Sequence, residues 1–89
     1  MTIKHLVALV SSIGIAAFSL PVAAHVEISV YNILGEKVST LVDEECSFGA
    51  YSVEWNGTND RGKPMASGIY YNIMKAGDFR SMKKMLLLK

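Results

Sequence analysis

Trp55-Asn56-Gly57-Thr58-Asn59-Asp60-Arg61-Gly62-Lys63-Pro64-Met65-Ala66-Ser67-Gly68-Ile69-Tyr70-Tyr71 carries the strongest structural signal in the chain. Upstream of it Tyr51, Val53 and Trp55 alternate with Ser52 and Glu54, so a strand of period two arrives at Trp55. Asn56 to Pro64 then combines glycines, a proline and Asn, Thr and Asp side chains, which is turn chemistry. From Gly68 to Met74 alternation resumes, with Ile69, Tyr71 and Ile73 on one face. The stretch is strand, long polar connection, strand.

Working outward, the same alphabet repeats. Val26, Ile28 and Val30 alternate with Glu27, Ser29 and Tyr31, a half-buried strand. Ile33-Leu34-Gly35-Glu36 follows, where Gly35 is free to take the positive φ of a tight turn. Val38, Leu41 and Val42 make a second short strand, and Asp43 to Gly49 is polar enough to be a loop. Beyond Met74, Ala76-Gly77-Asp78 is a hairpin turn and Phe79 to Leu88 a last strand. No segment after Val26 has helical periodicity. Short strands with frequent turn signals predict an all-β, Ig-like antiparallel sandwich with its core around Trp55, Tyr71 and the aliphatic strand faces.

Several phrases, in order, resemble one family. Val30-Tyr31-Asn32-Ile33-Leu34-Gly35-Glu36-Lys37-Val38, the Trp55–Tyr71 stretch and the closing Lys-Met-Leu-Leu-Leu-Lys are similar to the FlgD-type Ig-like domain. Related modules lie at the C-terminal ends of large secreted bacterial proteins, where some act as type IX secretion sorting domains. The resemblance marks Gly35, Trp55, Gly57, Gly62, Gly68 and Tyr70 as structural motif positions. Asn56 stands where the family usually has Asp, and Val22 where it usually has an acidic residue. The implied role is a noncatalytic module of a secreted or cell-surface protein, acting in C-terminal sorting, anchoring or protein–protein interaction. The alternatives are a FlgD-like scaffold in flagellar hook or filament assembly, and an orphan fragment of a larger secreted protein.

The N-terminus supports two readings. Residues 1–24 have the layout of a signal peptide: Lys4, an apolar run from Leu6 to Leu20, Pro21, then Val22-Ala23-Ala24 before His25. The run is shorter than the roughly 20 residues that span a bilayer as a helix. On this reading 25–89 is the domain, and membrane contact occurs only through the signal during export. Phe18-Ser19-Leu20-Pro21 also resembles the phrase that closes the family's first strand, so the same residues are claimed by the fold. A chain cut before His25 would be of a size that buries only about 60% of its unfolded surface, marginal without a partner.

Composition narrows the chemistry. With 51% hydrophobic residues and a net charge of +1, the chain has material for a core and no field for nucleic acid. Cys46 is the single cysteine, which excludes an internal disulfide, and it follows Asp43-Glu44-Glu45, which should raise its thiol pKa. It is expected to be an unreactive loop residue. Asn56, Thr58, Asn59 and Asp60 offer oxygens for calcium but only one carboxylate, so self-capping turns are the expectation. Asn56-Gly57-Thr58 formally fits a glycosylation acceptor. His5 and His25 are the only near-neutral bases, and no serine sits in a glycine-framed elbow. The expectation is no enzyme, no cofactor, no metal and no small-molecule substrate. The expected partner is a protein, met through strand edges, with Phe79–Leu88 as the leading candidate.

Overall fold

The computed structural model describes residues 7–10 and 15–88. Seven strands run in chain order: β1 Val7–Val10, β2 Ile15–Leu20, β3 Ala24–Tyr31, β4 Lys37–Cys46, β5 Gly49–Glu54, β6 Gly68–Ala76 and β7 Phe79–Leu87. They form two antiparallel sheets, β1-β2-β5 and β4-β3-β6-β7. No helix occurs among the described residues, so none there is long and apolar enough to cross a membrane. The expected all-β, Ig-like sandwich is the architecture observed.

Period two explains the layers. Val26, Ile28 and Val30 of β3 are fully buried, as their alternation requires. The interior divides into two clusters. Phe18, Leu20, Val26, Ile28, Cys46, Met74 and Ala76 fill one end. Val30, Val38, Trp55, Tyr70 and Met85 fill the other. Trp55 therefore centres half of the core. Burying each such large side chain stabilises the fold by about 1.5–3 kcal/mol.

Three expectations change. The buried face of β6 is Tyr70, Asn72, Met74 and Ala76, while Ile69, Tyr71 and Ile73 lie on the outer face. Tyr71 is thus not a core residue. Both faces of β6 carry apolar side chains, so alternation alone could not choose between them. Second, Asp43 to Cys46 is strand, not loop: His25 pairs Glu45 and Glu27 pairs Asp43. β4 is an edge strand, and its acidic side chains stay in water while its backbone pairs with β3. Register shifts at Ile28/Ser29 and Val30/Tyr31 accommodate Leu41 and Val38 as extra residues. Third, Cys46 is 7% exposed at the core's edge, so it is not a loop residue.

Residues 15–20 take the strand role. Ile15 to Leu20 pair with Glu54 back to Gly49, and Phe18 stacks on its cross-strand partner Tyr51 at 5.2 Å. The sandwich thus includes residues the leader reading assigns to 1–24. Lys4 and His5, on which that reading also draws, lie outside the described residues.

Candidate functional site

The connection Asn56–Ser67 is built by its own side chains. Asn56 Oδ1 accepts from Thr58 N (3.1 Å) and Thr58 Oγ1 (2.6 Å). Asn59 Oδ1 accepts from Arg61 N (3.0 Å) and Lys63 N (2.9 Å). These are Asx turns, the self-capping that the sequence predicts. No group of His, Cys, Asp and Glu among the described residues is arranged to hold a metal. Asp60 does something the sequence did not disclose: its Oδ1 accepts from Thr40 N (2.9 Å), while its N donates to Val38 O (3.1 Å). It therefore ties the loop to β4.

Beneath the loop, Trp55 Nε1 donates to Thr58 O at 2.8 Å, satisfying the one polar atom of a buried indole. Its ring meets Tyr70 edge-on, with centroids 4.9 Å apart and planes at 62°. Tyr70 Oη donates to Ala66 O at 2.7 Å, and Tyr51 Oη to Ser47 O at 2.8 Å. Each tyrosine thus pins the carbonyl four residues earlier, at the entry to its own strand. This is the logic of the tyrosine corner in Ig-type sandwiches. Gly57 is buried, with φ +81°, and a Cβ there would lie 3.3 Å from Leu87 Cδ1. Trp55, Gly57 and Tyr70 thus converge against β7. Gly35 (φ +82°) turns the chain between β3 and β4, Gly62 lies at the loop tip and Gly68 opens β6. These three are turn and strand-entry positions away from that cluster.

On the opposite side, His25 Nε2 lies 2.7 Å from Asp43 Oδ1 and its Nδ1 3.1 Å from Glu45 Oε1. The hydrogen bond to Asp43 raises the imidazole pKa, slight desolvation opposes it, and Glu45 raises it further. The cross-strand clasp was hidden because Asp43 and Glu45 flank His25 only when residues 43–46 are strand. The Cys46 thiol is pushed up, first by burial and then by Glu44 and Glu45, leaving it a weak nucleophile.

What remains accessible is surface. β4 and β7 are the edges of the four-stranded sheet. Apolar side chains stand out at Ile33, Leu34, Phe48, Met82 and Leu88. A polar cleft of about 340 Å³ separates the β3–β4 turn from Asn59, Asp60 and Arg61. The arrangement is that of a β-sandwich module with stapled loops and open edges. The family model of the FlgD Ig-like domain matches residues 11–78, and the chain belongs to that family. Among solved structures, dimeric latent PorU from Porphyromonas gingivalis is similar, with a TM-score of 0.61 and 16% identity over 91% of this chain and 9% of PorU. At that identity the likeness is one of fold, and the chain spans less than a tenth of PorU's length. No curated protein matches the chain.

Proposed function

We propose that this chain is a noncatalytic Ig-like module of a secreted or cell-surface bacterial protein, and that it serves in C-terminal sorting or anchoring through contact with a protein partner. Membership in the FlgD Ig-like family supports the module reading. The observation that carries the mechanism is β7: a nine-residue strand at the edge of the larger sheet, hydrogen-bonded on one side to β6. Such an edge presents a row of backbone donors and acceptors to an added strand. β1 approaches β7 without pairing with it.

The test is delivery of a cargo fused to this chain. Met85 is a poor place for a strand-breaking proline, because it is 2% exposed in the Trp55 cluster. Lys83 and Lys84 are exposed neighbours, and along an antiparallel strand successive N–H groups point to opposite sides. Of Lys83→Pro and Lys84→Pro, one removes a bond to β6 and the other an outward donor. The variant that keeps the wild-type melting temperature is the informative one. Loss of delivery in that variant is expected; delivery at the wild-type level overturns edge recognition.

A further inference from the structure

We propose that the outer face of the four-stranded sheet is a docking surface for a second copy of this chain, related by a two-fold axis lying along the strands. The register places side chains in level rows across β4, β3, β6 and β7. One row is Asp43, Glu27, Lys75, Arg80; the next is Thr40, Ser29, Ile73, Met82; the third is Lys37, Tyr31, Tyr71, Lys84. Two contacts confirm that these side chains share a face: Lys75 Nζ lies 3.8 Å from Glu27 Oε1, and Lys37 Nζ stands 6.0 Å over the Tyr31 ring. Between the rows runs an apolar groove of about 260 Å³, floored by Tyr31, Tyr71 and Ile73 and flanked by Met82, which is 63% exposed.

Charge selects the occupant. The first row is acidic on β4 and β3 and basic on β6 and β7, so its two halves have opposite sign. A two-fold axis along the strands, midway between β3 and β6, exchanges β4 with β7 and β3 with β6 while keeping each row level. Asp43 then meets Arg80 of the second copy, and Glu27 meets Lys75 of the second copy. In the same arrangement Met82 covers Thr40 and the tyrosines of the third row face one another. Lys37 and Lys84 are brought together at the rim, where long stems let their charges diverge into water. A two-fold axis across the strands would instead lay the first row on the third, setting Glu27 and Lys75 against tyrosine rings and Arg80 against Lys84. Aligned packing of two sheets, near −30°, is compatible with the first axis. The three rows and four strands give roughly 200 Å² of flat sheet per copy before side-chain relief. That is below the range of stable specific interfaces, so the dimer is weak, with dissociation on the order of 100 μM or above.

This inference stands apart from the sorting role, and its test reads oligomeric state alone. Sedimentation of the full chain is followed from about 10 μM to about 1 mM, the range that brackets such affinities. The wild type should pass from monomer to dimer. Arg80→Asp should weaken association roughly tenfold or more, since it sets like charges opposite each other. Asp43→Arg should do the same, and the double variant Arg80→Asp/Asp43→Arg should restore the wild-type curve, because an isologous contact pairs the two positions twice. Met82→Asp, at an exposed position clear of the His25 clasp, should also dissociate the dimer while keeping the wild-type melt. A wild type that stays monomeric overturns the proposal, as do single variants that dimerise like wild type or a double variant no better than the singles.

Discussion

Replacing Phe18 by alanine tests whether residues 15–20 are a working strand of the sandwich. Phe18 is 4% exposed, lies in the cluster with Leu20, Val26, Ile28 and Met74, and stacks on Tyr51 at 16° between ring planes. Truncating a buried Phe to Ala costs about 3–5 kcal/mol, transfer and cavity terms together. At roughly 0.05–0.15 kcal/mol per residue, a chain of this length has about 4–13 kcal/mol in total. The substitution therefore removes from about a quarter to all of the stability. In a domain of this size each kcal/mol is worth about 4–8 °C in Tm, so the melt should fall by at least about 12 °C. Urea titration followed by tryptophan fluorescence gives the free energy directly, since Trp55 sits in the neighbouring cluster. Phe48→Ala is the control: the same residue type, 75% exposed, expected to change stability by less than about 0.5 kcal/mol. Equal shifts for the two variants would refute the packing of β2. The same reasoning predicts that a chain beginning at His25 does not fold alone, because it lacks β1, β2 and the Phe18–Leu20 portion of the core.

Gly57→Ala should destabilise by about 1–2 kcal/mol, from the left-handed φ and the contact with Leu87, with denaturant midpoints as the readout. Asp60→Ala removes the acceptor of Thr40 N and should cost about 0.5–1.5 kcal/mol, since the bond is exposed and water can replace it; amide exchange at Thr40 should accelerate more than exchange in β6. His25 has a folded-state pKa above 6.5, so the stability its protonated ring contributes is fully present below pH 6.5 and is lost as pH rises through the folded value. NMR titration should show that raised value, and His25→Ala should abolish this part of the pH dependence without altering the strand pattern. Cys46, buried and with its thiol pKa raised, should alkylate slowly in the native chain and rapidly in denaturant.

Strand existence and turn position were legible because they follow from local chemistry. Alternation gave β3, β5 and β6, the hairpin signal at Ala76-Gly77-Asp78 placed β7, and the Asn–Gly–Thr–Asn–Asp string gave a self-capped loop whose Asx turns the structure contains. Tyr70 and Trp55 were marked by a family resemblance; their physical roles, a corner hydrogen bond and an edge-on ring contact, became visible only in three dimensions. The all-β character, the position of most turns and the inward facing of residues 26, 28 and 30 are written in local pattern, since each depends on near neighbours along the chain. The packed sandwich settles which face of β6 is core, that residues 43–46 extend an edge strand, and that Phe18 and Leu20 belong to the interior. It also settles that His25 sits between two carboxylates and that opposite charges share one row of the outer face. Each of these is a relation between strands distant in sequence, fixed by pairing register and by which surface is removed from water, and no local pattern encodes either.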